Sequence, residues 1–173
     1  MSQNSLRRYS YTTLLVALGL SLLFIDFFTK SYIYHIFPFY NSLGPSYHSP
    51  VDLNFFGIHL SITLVFNKGA AWGFFSRFQL SLILVRLVVI LGIFFYLFFI
   101  NKKRYIIFPL LLIIAGALGN VVDFFLYGCV IDFIQLNFWG YHFPVFNLAD
   151  TWITMGVIWF FLVNLMHRKK SYA

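Results

Sequence analysis

The stretch Gly116-Ala117-Leu118-Gly119-Asn120-Val121-Val122-Asp123, followed by Val130-Ile131-Asp132-Phe133-Ile134 and by Phe146-Asn147-Leu148-Ala149-Asp150, decides how the chain is read. It begins inside one very apolar segment and ends at the edge of the next, yet it holds three of the five acidic residues of the chain. Carboxylates are costly in such surroundings, so this concentration calls for a role beyond solubility.

Working outward, the 173-residue chain is 61% hydrophobic and 10% charged, with a mean hydropathy of +0.83. Soluble domains carry about 25% charged residues. This chain cannot cover its own surface with polar groups, so much of it must face lipid. Its length fits a single domain over residues 1–173. The net charge of +7 comes from clusters at Arg7-Arg8, Lys102-Lys103-Arg104 and Arg168-Lys169-Lys170, each beside an apolar run. That is a membrane-orientation signal, and it argues against nucleic-acid binding, because the aromatic residues fill apolar runs. Cys129 is the only cysteine, which excludes an internal disulfide.

Apolar runs predict transmembrane helices over about 11–30, 79–100, 105–126 and 149–167. The first could alternatively be a cleaved leader behind Arg7-Arg8, but Asp26, Phe27, Phe28 and Lys30 follow it in place of a small-residue cleavage site. Residues 31–78 and 128–148 are expected to be external. Asn41, Gly44, Pro38, Pro45 and Pro50 break helix in the first of these. Leu60–Phe66 and Val130–Phe138 read as strands. All three basic clusters then fall on one side, which places both termini in the cytoplasm. No internal repeat points to an inverted-repeat transporter.

This topology brings four of the five Asp to one membrane depth: Asp26 at the outer end of helix 1, Asp123 near that of helix 3, Asp132 just beyond it, and Asp150 opening helix 4. Asp52 lies apart. Structural roles are available for several of them. Asp26 and Lys30 are spaced to pair on one helix face. Asp150 suits a helix N-terminus, where Asn147 competes for the cap. Asn120, after Gly116 and Gly119, suits bonding between close helices. Asp132, between Ile131 and Phe133, is the hardest to explain structurally.

Two carboxylates in a dry site can share one proton, one acting as base on water and the other as acid. That chemistry hydrolyses amides, and Asp132 with Asp150 is the pair selected here. Neither a G-x-S-x-G elbow nor an H-E-x-x-H helix is present. His35, His48, His59, His142 and His167 lack ligand spacing, so neither metal nor cofactor is expected, and Cys129 has only His142 near it in sequence. A proton-coupled small membrane carrier is the alternative function, since intramembrane Asp also serve proton relays. A helix-gluing assembly protein is a third.

The chain resembles the lipoprotein signal peptidases (signal peptidase II), aspartic peptidases of bacterial membranes, over about Leu14 to Asn164. Asp26-Phe27-Phe28-Thr29-Lys30 resembles D-x-x-T-K. Asn67-Lys68-Gly69-Ala70-Ala71-Trp72 resembles N-x-G-A-A/F-aromatic. Gly116 to Asp123 resembles G-A-x-G-N-x-x-D, Val130 to Phe133 resembles V-x-D-F, and Phe146 to Asp150 resembles F-N-x-A-D. The five blocks occur in family order.

The resemblance implies cleavage of prolipoproteins just before a diacylglyceryl-modified cysteine, with Asp132 and Asp150 catalytic. It implies that Asn67, Gly116, Asn120, Asn147 and Ala149 shape the site and hold substrate, and that Asp26, Lys30 and Asp123 support it. It further implies inhibition by globomycin, membrane lipid as a partner, a monomer, and a multi-pass protein of the bacterial inner membrane with its site on the periplasmic side. The expected fold is a mainly α polytopic membrane protein: four transmembrane helices, both termini cytoplasmic, and a small external β-rich cradle. One position departs. Where the family has Arg after the Asp aligned with Asp123, this chain has Phe124, and Lys30, Lys68 and Arg86 are the cations placed to substitute for it.

Overall fold

In the computed structural model, which describes residues 3–42, 49, 51–69 and 79–170, the elements follow the predicted order. Helix α1 spans Gln3–Ser42, strand β1 Asp52–Phe55, β2 Ile58–Asn67, α2 Gln79–Phe95 and α3 Ile107–Tyr127. Then come β3 Val130–Phe138, β4 Tyr141–His142 and α4 Leu148–Lys170. A π-helical turn, Tyr96–Ile100, extends α2, and a 3₁₀ turn, Arg104–Ile106, leads into α3. Four helices are long and apolar enough to cross a membrane: Thr13–Phe37, Gln79–Ile100, Arg104–Tyr127 and Leu148–Arg168.

One boundary departs from expectation. Helix α1 does not stop near Lys30 but continues to Ser42: Ser31 to Phe37 contains no breaker, and Pro38 and Asn41, expected to break helix, lie inside it, the proline removing a backbone donor without ending the helix. The extension packs on the sheet and on the end of α3: Tyr34 meets Phe66 of β2 and Tyr127 of α3, with ring centroids 6.1 and 4.8 Å apart. Ala70, Ala71 and Trp72 of the second block lie outside the described residues, as do Gly44, Pro45 and Pro50 of the expected external segment.

Helix α3 is the centre of the bundle. Of its most apolar window 61% is buried, against 11% for α1, 11% for α2 and 17% for α4. Small residues make this possible. A Cβ on Gly116 would run into the Ala149 carbonyl of α4, and one on Gly156 would lie 2.7 Å from the Pro109 carbonyl of α3. The outer helices leave long rows of Leu, Val and Phe exposed, as a lipid-facing surface requires.

The four strands form one antiparallel sheet in the order β1-β2-β3-β4. Its register sorts the side chains by face. Leu53, Leu60 and Leu136 stand in one row, and Phe55, Ile58, Phe138 and Tyr141 in another. The alternate rows are polar: Asp52, Ser61 and Gln135, then Asn54, His59, Asn137 and His142. The sheet is therefore amphipathic.

Two tight hairpins close it, each written Asn-Phe-aromatic-Gly. Phe56 and Gly57 in the first, and Trp139 and Gly140 in the second, have positive φ, the geometry that matches strand twist. Asn54 and Asn137 accept the N–H groups of Gly57 and Gly140 at 3.2 and 3.0 Å. Trp139 also joins the turns, donating its indole N–H to the Phe56 carbonyl at 3.1 Å.

The Gly156 contact tests the bundle away from the polar cluster. Gly156→Val should destabilise the detergent-solubilised protein by about 1–3 kcal/mol through overpacking, read as a lowered thermal unfolding temperature. An unchanged temperature would contradict the close α3–α4 approach.

Candidate active site

Lys30 has no exposed surface. Its Nζ lies 2.7 Å from Asp26 Oδ2 and 2.8 Å from Asp123 Oδ2, and donates to Asn120 Oδ1 at 3.0 Å. The helical spacing of Asp26 and Lys30 thus produces a pair, but one buried in the bundle and shared with Asp123. Both carboxylates are 1% exposed. Such a cluster is tolerable only when each member is fully partnered.

Each supporting carboxylate also grips a backbone N–H. Asp26 Oδ1 accepts from Ala149 at 2.8 Å, and Asp123 Oδ2 accepts from Ile131 at 3.1 Å. Ala149 immediately precedes Asp150, and Ile131 immediately precedes Asp132. The buried cluster therefore sets the backbone position of both proposed catalytic residues from one side. Gly119 allows this, since a Cβ there would collide with Asp26 Oδ2.

Asp132 points to the same face of β3 as Ile134 and Leu136, by strand alternation. Its Oδ1 accepts from Asn147 Nδ2 and its Oδ2 from Asn67 Nδ2, each at 2.7 Å. Asn67 reaches it because of a bulge in β2. Ile62 pairs with Ile134, but Val65 pairs with Asp132, so Thr63 and Leu64 together oppose Phe133. The extra residue switches which parity of β2 faces the site and brings Val65 and Asn67 onto it.

Asp150 is the third residue of α4, and Asn147 caps that helix. Asn147 Oδ1 accepts the Asp150 N–H at 2.9 Å, and Asp150 Oδ2 receives the Asn147 N–H at 3.4 Å. The two share the cap in a reciprocal box rather than compete for it. Asp150 Oδ1 accepts from Asn120 Nδ2 at 2.8 Å, and Asn147 Nδ2 reaches back to Asn120 Oδ1 at 3.1 Å. Asn120 thus links Lys30, Asn147 and Asp150.

Both proposed catalytic carboxylates line a cavity of about 590 Å³. Most of its wall is apolar, including Leu136, Phe143, Val145, Phe146 and Met155, with Asn67, Arg86, Thr151 and Thr154 adding polar groups. Burial first, and then the neighbouring Asp150 carboxylate, push Asp132 up to about 7 against the lowering effect of its Asn67 and Asn147 bonds and of Lys30. Protonated and ionised forms of Asp132 are then both accessible near neutral pH. Cys129 lies apart from this chemistry: it is 3% exposed, burial pushes its thiol up, and its Sγ faces the Tyr127 carbonyl at 3.6 Å. Asp52, on the exposed edge strand, is also elsewhere.

Sequence reasoning placed nearly all of these residues. It did not foresee that Thr151, Thr154 and the Phe143–Phe146 segment line the cavity, nor that the Ile131 and Ala149 N–H groups are held. The four-residue helical spacing from Asp150 was the available signal for Thr154.

Two predictions follow from this wiring. Lys30→Met leaves two buried carboxylates without a cation and should cost about 3–5 kcal/mol, with part recovered by adding Asp26→Asn; thermal unfolding at neutral pH checks it. For Asp132 the folded value of about 7 lies above the unfolded value of 3.8. The folded state then holds the extra proton between these values, so its contribution makes stability fall as pH rises through that window, by up to about 1.4 kcal/mol per pH unit. Asp132→Asn should flatten that slope in unfolding measured from pH 4 to 8, and an identical slope would contradict it.

A family model described as signal peptidase (SPase) II matches residues 18–166. A lipoprotein signal peptidase of Staphylococcus haemolyticus (strain JCSC1435) is 36% identical over 169 residues, covering 96% of this chain and 99% of the relative. One of Chlamydia pneumoniae is 47% identical over 102 residues, covering 57% of this chain and 60% of the relative. The alignments to this and two other chlamydial relatives span 59% to 62% of those proteins. Among solved structures, a bacterial membrane enzyme superposes with a TM-score of 0.71 at 27% identity, covering 91% of each chain. A second has a TM-score of 0.67 at 28% identity, covering 88% of this chain and 93% of the other. With a match to the family model over most of its length, and a relative aligned end to end at 36% identity, this chain belongs to the signal peptidase II family.

Proposed function

We propose that this protein is an aspartic endopeptidase that removes signal peptides from diacylglyceryl-modified prolipoproteins, cutting just before the lipid-modified cysteine. The observation that carries the reading is the pair Asp132 and Asp150 on one wall of a mainly apolar 590 Å³ cavity. The surrounding Asn67, Asn120 and Asn147 leave each carboxylate oriented by side-chain donors. Family membership supplies the substrate class.

In its protonated form Asp132 hydrogen-bonds the scissile carbonyl, while Asp150 takes a proton from the attacking water. Water oxygen bonds to the carbonyl carbon. As the tetrahedral intermediate collapses, a carboxyl proton passes to the leaving nitrogen and the C–N bond breaks. Products are a free carboxylate on the signal peptide and a free amine on the lipidated cysteine. Asn147 keeps the two carboxyl groups in register, because it binds Asp132 through its side chain and Asp150 through its cap. Gly116 and Ala149 keep α3 and α4 close enough for Asn120 to reach Asp150.

The basic clusters at 7–8, 102–104 and 168–170 belong at the cytoplasmic end of the helices. The site then faces the periplasmic side of a bacterial inner membrane, where a monomer admits the signal helix laterally from lipid. A carrier reading needs carboxylates accessible from both sides; here they gather at one end of the bundle, beside the sheet.

The test is cleavage of a synthetic lipidated prolipoprotein peptide by the purified protein. Asp132→Asn and Asp150→Asn should each reduce kcat by about 10³-fold or more while leaving far-UV circular dichroism unchanged, and globomycin should block the wild type. Normal processing by either variant would refute the dyad.

A further inference from the structure

Arg86 is the only charged residue in the 22-residue span Gln79–Ile100. It is half-buried, and among the described residues it makes no hydrogen bond or ion pair. It lines the 590 Å³ cavity together with Asp132 and Asp150, and also a small adjoining cleft with Asn67, Lys68 and Phe124. An intramembrane cation without a protein partner is expensive and calls for a ligand. A guanidinium offers donors only, so that ligand must present acceptors.

We propose that Arg86 is a substrate-positioning residue whose guanidinium holds the ester carbonyls of the diacylglyceryl group, a role that rests on the peptidase reading above. Three observations converge on it. First, two of the side-chain donors of the cavity wall are engaged within the protein, Asn67 Nδ2 on Asp132 and Thr151 Oγ1 on the Asn147 carbonyl at 3.0 Å, which leaves Arg86 as its one cationic donor, with the neutral Thr154 hydroxyl beside it. Second, Arg86 lies about two turns into α2 from Gln79, about 10 Å along the axis, whereas Asp150 lies in the first turn of α4. Gln79 is tied to the end of α3 through the Gly128 carbonyl at 2.5 Å, which sets the level of α2 against the start of β3. Asp150 bonds Asn120, eight residues back along α3 from Gly128 and thus about 12 Å inward of it, so Arg86 and Asp150 stand at a similar depth on the wall of one cavity, within reach of a lipid attached beside the scissile bond. An ester is an acceptor-only group at that depth, whereas a peptide unit brings its own donor.

Third, the alternatives are occupied or misplaced. Lys30 is spent on Asp26, Asp123 and Asn120. Lys68 is exposed and lines only the small cleft. Of the cations placed to answer for the Phe at position 124, Arg86 alone reaches the cavity.

The test is fluorescence anisotropy with the purified full chain in detergent. The probes are two peptides made uncleavable by a reduced scissile bond, one bearing a dipalmitoylglyceryl cysteine and one its diether analogue. Arg86→Gln should weaken binding of the diester about tenfold or more and of the diether less than about threefold. Arg86→Lys, which keeps the charge but loses the fork, should fall between. Equal losses on both peptides, or no loss in a folded Arg86→Gln protein, would overturn the role of Arg86 and leave the peptidase reading standing. Failure of the wild type to bind either peptide would sink both.

Discussion

The arrangement depends on one buried cation. Lys30 Nζ sits among three oxygens inside a mainly apolar bundle. Removing it would leave two carboxylates in a low dielectric, and removing either carboxylate would release the backbone N–H it holds, that of Ala149 or of Ile131. The cluster joins α1 to α3 directly. Through the second oxygen of Asp26 it also reaches the first turn of α4, and through Asp123 the start of β3. The polar groups that seem most out of place in an apolar chain are thus the ones that register its elements.

The two backbone contacts explain how a strand and a helix from different layers deliver their carboxylates to the same wall. Ile131 and Ala149 are clamped, so Asp132 and Asp150 project from fixed points. Asn147 then bridges them, and the bulge in β2 turns Asn67 onto Asp132 from the opposite side. A preorganised constellation of this kind has rotamers held by neighbours, which keeps donors and acceptors aimed without cost at the moment of reaction. The apolar face of the sheet continues the cavity wall through Leu136, while its polar face carries Asn54, His59 and His142. One sheet therefore serves as a lid on an apolar space and as a water-facing surface.

Much of the fold was legible. Hydropathy located the four long helices, because lipid demands long apolar runs whatever the tertiary detail. Period-two alternation located β2 and β3, the latter at Val130–Phe138. The short strands β1 and β4 escaped, although each adjoins an Asn-Phe-aromatic-Gly turn; Phe and Trp at positive φ are unusual enough that Asn-Gly rules miss them. The end of α1 was misplaced because Pro38 and Asn41, read as helix breakers, lie within the helix. In the site, Asn120 and Asn147 were recognised as polar residues in apolar company, but not as the links between the carboxylates.

The sequence by itself determined which residues are too polar for lipid and at what depth they collect, since burial cost and helix length depend on local composition alone. It also determined the blocks by which the family is recognised. Tertiary structure alone decided the partners. Asp26 and Asp123 share Lys30, each holding the residue before Asp150 or Asp132. Asn67 faces Asp132 through a one-residue bulge, and Arg86 enters the same cavity. These follow from helix crossings and strand register, which depend on contacts between residues far apart in the chain and leave no mark in local periodicity.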